Sequence, residues 1–548
     1  TPISKDLTKN EERLSLPIMG KQQSWDSAWD VYAMSTYNTI TSLSESVLNQ
    51  NILYAGTDDG LIHYTKDGGS SWTSITVDKL PGVPNSSFVN DIKADLHNDQ
   101  VAYVVLDNHK FGDYSPYLYK TSNGGKSWKP IIDGLPEDNF VWRIVQDHVD
   151  PNLLFLATEY GLYFSNNQGD KWTKFSTGLP TISIRDLAIQ KRENDLVVAT
   201  FGRGFYVLDD YSPLRKLNQK NSNEHLLFDV KEALQYNPIR PGTSSQGSSY
   251  FQSKNPPYGA VFTYNLPKSY KSLKSLRSQE EKELDKLNKD VPFPGWENLD
   301  KEINEIKSKI ILEVRDEKGD LVDRINGSTK KGINRISWNL TKPLPITMNS
   351  NSRGSRLTLS VKPGKYSVHL LELVNGGVKE LTESKTFDIK RIRKNVLENP
   401  LTSKIDEYIL ELHKFEIQYS TMISDYIKSK NKQSTFENIL RFVKNIDNDL
   451  LTKLKELRDH MNSIDVLLYG NKSKKEIMEK DVPQISQRLG IAKRGLNDSY
   501  GPTKNHMNSF DIAKTQWNSI SPRIEKFIKE VNYLSKELEQ LGAPKILD

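Results

Sequence analysis

The sequence predicts a mainly β chain with an α-helical tail. Three observations carry this: a turn motif bearing glycine and tryptophan that occurs three times before residue 175, a middle stretch of alternating apolar strands, and four apolar stripes at three-and-four spacing after residue 400. At roughly 150 residues per domain, 548 residues correspond to three to four domains. Hydrophobic residues make up 36% and charged residues 26%, enough for packed cores, so wholesale disorder is excluded. The net charge of +5, from 75 basic and 70 acidic side chains mixed along the chain, lacks the concentrated basic face that nucleic acid requires. No run of 18 apolar residues occurs, so no membrane span is expected. The absence of cysteine excludes disulfides, cysteine nucleophiles, iron–sulfur clusters and thiolate zinc sites.

The repeat comes first along the chain. Thr65 to Trp72 reads TKDGGSSW, Thr121 to Trp128 reads TSNGGKSW, and Ser165 to Trp172 reads SNNQGDKW. The aligned Asp67, Asn123 and Asn167 lie 56 and 44 positions apart. Strand-like pairs precede each motif, at 52–56 with 61–64, 101–106 with 117–119, and 153–158 with 162–164. A fourth pair, 196–200 with 205–208, ends the series without the tryptophan motif. Physically the motif is a tight hairpin turn. Asp or Asn accepts backbone N–H groups across it, and Gly69, Gly125 and Gly169 take the positive φ that other residues resist. Trp72, Trp128 and Trp172 then pack their rings under the turn. Short strands and turns at this spacing predict the blades of a β-propeller.

The motif resembles the Asp-box, or BNR, repeat of sialidases, sortilin-type receptors and xyloglucanase-type glycoside hydrolases. The longer strings AGTDDGLIHYTKDGGSSW, DYSPYLYKTSNGGKSW, LATEYGLYFSNNQGDKW and VVATFGRGFYVLDDYSPL resemble the C-terminal half of large bacterial sortilin-like propeller proteins, often labelled glycosyl hydrolases on repeat content. The resemblance runs on through NPPYGAVFTYNL from Asn255, PGKYSV from Pro363 and the helical tail, and is strongest between Asn51 and Pro213. Phe201 departs from it, standing before Gly202-Arg203-Gly204 where relatives commonly carry His. The resemblance implies a secreted, periplasmic or cell-surface protein; the opening Thr1-Pro2-Ile3-Ser4 shows no signal-peptide pattern and leaves the compartment open. In such relatives further repeats precede this region. An unclosed set of four blades leaves strand edges exposed, which natural proteins avoid. The expected partner is therefore an N-terminal propeller half, on the same precursor or on a separate chain; a four-bladed ring complete in itself is the alternative.

The expected organisation is propeller blades over 1–217, a β-sandwich over 218–397 and a helical bundle over 398–548. Residues 238–249 read as an irregular connection. Strands are expected at 260–266, 309–315, 332–340, 357–361, 366–372 and 385–389, with a hairpin turn at Asp316 to Asp320 and another at Pro363-Gly364, together an immunoglobulin-like sandwich. The charged stretch 269–308 interrupts it as an inserted helical hairpin, with Pro292-Phe293-Pro294-Gly295 at its middle. In the tail the stripes are Ile405, Ile409, Leu412, Phe415 and Tyr419; Leu450, Leu454, Leu457, Met461 and Ile464; Ile485, Leu489 and Ala492; and Ile524, Phe527, Ile528, Val531, Leu534 and Leu538. Gly470, Gly501-Pro502 and Gly542 mark helix ends.

For chemistry, the nine histidines show no HExxH or paired metal spacing, so neither a metal nor a cofactor is expected. No GxSxG, Walker or GxGxxG string occurs. Carboxylates remain, because glycosidases need a pair about 5–10 Å apart. Asp58, Asp59, Asp107, Asp113 and Glu159, with Asp209-Asp210, all lie where blade strands meet loops, although turn chemistry favours Asp58-Asp59-Gly60 as a turn and Asp209-Asp210 as a blade cap. Arg143, Arg185 and Arg203 occur once per blade, as a substrate-carboxylate cluster or as ordinary solvated or strand-pairing residues. Aromatics give a binding argument: Trp25, Trp29, Tyr32 and Tyr37 precede the first complete blade, and Phe111, Tyr114 and Tyr117 lie in a blade loop. Exposed rings stack on sugars or accept peptide side chains, whereas buried ones only pack blades together. The expected function is binding of a protein or glycan ligand, with Phe111, Tyr114, Tyr117 and Arg203 as the ligand residues. One alternative is a glycoside hydrolase whose catalytic pair is shared with, or lies in, the other half; another is a structural scaffold subunit of a surface complex.

Overall fold

Apolar runs broken by glycine turns fold here as four successive antiparallel sheets. The computed structural model describes residues 2–17, 21–24, 26, 37–217, 221–236, 238, 253, 255–344, 358–374, 376–393, 404–496 and 500–546. Helix and strand contribute about equally, so the chain is mixed rather than mainly β, the long tail helices making up the difference. Contacts divide it into two compact units: Thr1–Phe228 with Thr263–Ser269 and Lys331–Ile333, and Asp229–Phe262 with Tyr270–Lys330 and Asn334–Asp548. No helix among the described residues is long and apolar enough to cross a membrane.

In the first unit, β1 (Ile40–Glu45), β2 (Leu53–Thr57), β3 (Leu61–Thr65) and β4 (Thr73–Thr76) pair in simple sequence order. The same meander recurs in β5 (Phe88–Ala94), β6 (Ala102–Asn108), β7 (Asp113–Thr121) and β8 (Lys129–Pro130), then in β9 (Val141–Gln146), β10 (Leu154–Thr158), β11 (Gly161–Ser165) and β12 (Thr173–Lys174). The fourth sheet has three strands, β13 (Ile184–Gln190), β14 (Asp195–Thr200) and β15 (Phe205–Leu208). The first strand of each sheet lies against that of the next, β1 on β5, β5 on β9 and β9 on β13. Alternation sends one face of a sheet to the neighbour before it and the other to the neighbour after it. Phe155, Ala157 and Leu162 pack toward the fourth sheet, whereas Leu154, Leu156 and Tyr163 pack toward the second.

The three turn motifs share one hydrogen-bond pattern. Ser71 N donates to Asp67 Oδ1 (2.9 Å), Ser127 N to Asn123 Oδ1 (3.0 Å) and Lys171 N to Asn167 Oδ1 (3.0 Å). The hydroxyls of Thr65, Thr121 and Ser165 bond the same Asp or Asn, and accept from the N–H of Gly69, Gly125 and Gly169. Those glycines sit at φ of +87° to +92°, as the turn demands. Trp172 Nε1 donates to Ile131 O (2.8 Å) and Trp72 Nε1 to Ile3 O (3.1 Å), while Trp128 is buried with no partner for its Nε1 among the described residues. Ser71 and Thr65 hold the Asp67 carboxyl down to about 2 from its ordinary 3.8. A carboxyl depressed on folding stabilises above its unfolded pKa and loses that contribution as pH falls through about 2. Asp67→Asn is therefore expected to leave the midpoint of denaturation nearly unchanged at neutral pH, since Asn123 and Asn167 make the same Oδ1 bonds and an amide at 67 can donate to the Ser71 hydroxyl as Asn123 does to Ser127, and to abolish this residue's share of the acid limb. Urea titrations across pH 2–7 measure both.

After Pro213 the first unit continues to β16 (Leu226–Leu227), which pairs antiparallel with Tyr264 and Asn265 of β18 (Ala260–Leu266). In the second unit β17 (Ala233–Gln235), β19 (Lys309–Asp316), β20 (Leu321–Gly327), β24 (Gly364–Val374), β25 (Gly377–Glu380) and β26 (Lys385–Arg391) form one sheet, ordered β17-β26-β24-β19-β20 with β25 on β24. β17 and β26 run parallel; the other pairs are antiparallel. The remaining strands are β21 (Gly332–Trp338), β22 (Thr341–Pro343) and β23 (Thr358–Ser360), the last two paired with each other. The expected hairpin insert is two helices, Leu273–Lys286 and Trp296–Ile303, clasped by Arg277 between Glu281 (2.7 Å) and Glu302 (2.6 Å).

The tail stripes fold as helices Ile405–Ile439, Asn448–Tyr469, Ile485–Arg494 and Lys504–Gln540. Asp447 caps the second of them at Leu450 N (2.8 Å), and Gly470 ends it. The last helix starts well before the stripe that predicts it. It runs through Pro522 because Phe510, Ala513, Trp517 and Ile520 bury on the same core as Ile524 and Phe527. That burial outweighs the loss of one helical hydrogen bond. The expected 238–249 connection falls, apart from Pro238, outside the described residues, as does Leu357.

Candidate functional site

One local irregularity recurs in all four sheets of the first unit. Each first strand carries a β-bulge at the same register, and the extra residue is Thr41, Asn90, Trp142 and Arg185 in turn. A bulge breaks the alternation and re-aims one side chain. Here it does so beside the connections β2–β3, β6–β7, β10–β11 and β14–β15; Asp58, Asp59, Asp107, Asp113 and Glu159 lie at the first three of these, whereas Asp209-Asp210 follow β15 at the other end of the fourth sheet, where Leu208 pairs with Leu196.

Those carboxylates are each committed to a nearby partner. Asp58 accepts from Thr39 N (2.8 Å), and burial pushes its carboxyl up. The buried Asp59 accepts from Lys9 N (2.5 Å) and from the Thr57 hydroxyl. Asp107, fully buried, takes Asn90 Nδ2 on one oxygen (2.6 Å) and pairs His109 Nδ1 on the other (2.6 Å). Asp113 accepts from Tyr117 Oη (2.7 Å), Ser115 N (3.1 Å) and Asn108 Nδ2 (3.2 Å). Burial alone would raise its carboxyl, but these donors hold it below the usual range; burial and Asp113 together push the Tyr117 hydroxyl up to about 12. Glu159 accepts from Trp142 Nε1 (2.8 Å) and Ser183 Oγ (2.7 Å). Asp210 accepts from Ser212 and donates its own N–H to Asp195. Of the predicted arginines, Arg143 Nη1 donates to Trp142 O (3.1 Å) and to Asn90 O, with Asp186 at 3.8 Å from its Nε, and Arg203 is exposed on the β14–β15 turn.

What the structure does bring together is a row of rings. His109 stacks on Phe140 with centroids 5.1 Å apart and meets Trp142 edge-on at 5.7 Å; Phe140 meets Trp142 at 5.0 Å. Phe88 joins at His109 (6.0 Å) and Tyr114 at Phe140 (6.1 Å). Lys110 lies over Phe88 (4.9 Å) at one end. At the other the Arg185 guanidinium lies 3.7 Å over Trp142 and 5.1 Å from Phe201. Phe140 is buried, Phe88, His109 and Trp142 are half-buried, and Tyr114 and Phe201 are exposed. Of the predicted ligand residues, Tyr114 belongs to this row. Phe111 lies half-buried in the short turn before β7, whereas Tyr114 and Tyr117 stand on β7 itself rather than in the expected loop, Tyr117 tied to Asp113. Tyr37 is half-buried; Trp25, Trp29 and Tyr32 lie outside the described residues.

No family model matches the sequence, and no curated protein matches it. Solved structures give weak likenesses. A GH74 enzyme from Niastella koreensis is 16% identical over 32% of this chain and 29% of its own, with a TM-score of 0.27. YCF48 from Cyanidioschyzon merolae is 16% identical over 31% of this chain and 52% of its own, with a TM-score of 0.23. The GH74 xyloglucanase from Xanthomonas campestris is 10% identical over 41% of this chain and 35% of its own, with a TM-score of 0.26. The chain thus spans between 29% and 52% of their lengths, and likenesses this slight carry no argument.

Proposed function

We propose that the four sheets are blades of an Asp-box propeller of the sortilin-like kind, and that the mouth at their bulged ends binds a protein or glycan ligand outside the cytosol. The observation that carries the reading is the ring row from Phe88 through His109 and Phe140 to Trp142, with Tyr114 standing exposed beside it. Planar rings at a surface stack on sugar faces and accept apolar peptide side chains at small entropic cost. The bulge that aims Trp142 into the row is a device typical of functional edges. In the second unit, the sheet containing β19 and β24 is read as one layer of an immunoglobulin-like sandwich.

Hydrolysis is the weaker reading. A glycosidase needs one carboxylate free to give a proton and another free to attack or to activate water. Asp59, Asp107 and Glu159 instead hold backbone, hydroxyl and ring donors of their own blades.

The test is binding of the full chain to an immobilised panel of neutral glycans, acidic glycans and peptides. Trp142→Ala and Tyr114→Ala are compared with Tyr533→Ala, an exposed residue of the last helix. Each ring that stacks on ligand contributes on the order of 1–2 kcal/mol, so each loss is expected to weaken binding about five- to thirtyfold. Binding equal in all three proteins would remove the row from consideration.

A further inference from the structure

The three junctions between successive sheets follow one rule, and the two outer faces of the array break it. In the strand register, Ile62, Leu118, Leu162 and Phe205 occupy one equivalent position on the face turned to the next sheet. The first three are exposed by 0%, 0% and 1%, but Phe205 by 76%. Its neighbour on that face, Val207, is 54% exposed. The complementary position lies on the first strand of the following sheet, where an apolar pair flanks the bulge. Val89 and Ile92, Val141 and Ile144, and Ile184 and Leu187 are all exposed by 6% or less. In the first sheet the pair is Ile40 and Leu43, at 46% and 61%.

A polar contact accompanies the apolar one at the first two junctions; at the third the bulge residue, Trp142, turns its N–H to Glu159 of its own sheet. Thr41 Oγ1 donates across the junction to Val89 O (2.5 Å), and Asn90 Nδ2 donates to Val141 O (3.0 Å). Arg185 is the bulge residue of the fourth sheet; its Nε is buried and makes no hydrogen bond among the described residues. A buried donor left unpaired costs free energy, and exposed aromatic surface adds to that cost.

We propose that the open face of the fourth sheet is the docking surface for a further blade of the same repeat, supplied by polypeptide outside these 548 residues. Its innermost strand presents two apolar side chains flanking a bulge, and the backbone carbonyl at the first of them accepts from Arg185. A second copy of this chain fits poorly. The corresponding face of its first sheet is already covered over the outer strands: Leu53, Ala55 and Leu61 are buried, and Ile3 O accepts from Trp72 as Ile131 O does from Trp172. The inference is independent of what the mouth binds.

The test places a photo-crosslinking amino acid at position 205, and separately at 207, in the full chain expressed in its source cells. Both positions are exposed, so the fold tolerates the change, and a circular dichroism spectrum matching wild type checks it. Mass spectrometry of the adducts is expected to show, at both positions, one peptide absent from this sequence that belongs to a chain carrying the Gly-x-x-Trp turn motif. The same probe at Tyr533 is expected to lose that adduct. Adducts to residues 40–45 of a second copy, adducts only to proteins without the motif, or no adduct at either position would each overturn the proposal.

Discussion

Arg215→Ala is expected to destabilise the junction of the third and fourth sheets by about 3–5 kcal/mol, because it strands a buried charge. Asp147 is fully buried, and Arg215 grips both of its oxygens, Nε to Oδ2 at 2.7 Å and Nη2 to Oδ1 at 2.8 Å. Tyr211 Oη adds a third bond at 2.6 Å while its ring packs on Phe155. Burial by itself would raise the Asp147 carboxyl; the Arg215 and Tyr211 donors overcome it and hold the carboxyl below the ordinary range. A carboxyl lowered on folding stabilises above its unfolded pKa, and this contribution fades as pH falls through the folded one. The loss on Arg215→Ala should therefore be largest near neutrality and shrink in acid. Adding Asp147→Asn should recover part of it, since no unpaired charge remains. Chemical denaturation of the single and double variants decides the matter: a cost below about 1 kcal/mol would mean the pair behaves as a solvated surface bridge.

Trp172→Ala should cost a comparable amount, about 3–5 kcal/mol, the usual toll of emptying a large aromatic site. Its ring is buried among Ile131, Val141 and Tyr163 between the second and third sheets. The backbone of Gly134 approaches so closely that a methyl group there would fall 2.4 Å from Trp172 O. Trp172→Phe separates packing from hydrogen bonding: it keeps most of the apolar contact, loses the bond to Ile131 O, and should cost about 1 kcal/mol. The equivalent Trp72→Ala should cost less, because that ring is only half-buried. If Trp72 and Trp172 proved equally costly, the rings would not be acting through burial between sheets.

How much of this was legible in the sequence depends on the range of the interaction. The turn motifs were, because the side-chain bonds that close each turn lie within a few residues, Asp67 with Thr65 and Ser71, Asn123 with Thr121 and Ser127; the tryptophan Nε1 bonds to Ile3 and Ile131 reach far along the chain. The tail stripes were too, since Leu412, Leu457, Leu489 and Phe527 repeat at helical spacing and all bury. The ring row was not. His109, Phe140, Trp142 and Arg185 come from three different sheets and meet only through the β5–β9 and β9–β13 junctions. The bulges were equally hidden, since Thr41, Asn90, Trp142 and Arg185 share no chemistry, only a register position. One signal was available: each bulge residue follows an apolar residue and is followed two places later by another, a break in alternation at Ile40, Val89, Val141 and Ile184. Tyr117 stands on β7, paired with Leu106 across the β6–β7 hairpin, rather than in the loop expected from its sequence context, and its hydroxyl donates to Asp113 four residues away.

The most direct test of the account is hydrogen–deuterium exchange on the full chain, with and without the tightest-binding member of the glycan and peptide panel. The account predicts slowed exchange at the mouth, in segments 107–115, 139–143 and 183–186, with the three turn motifs and the tail helices unchanged. Protection confined to the tail helices, or to the turn motifs at the far ends of the sheets, would contradict it.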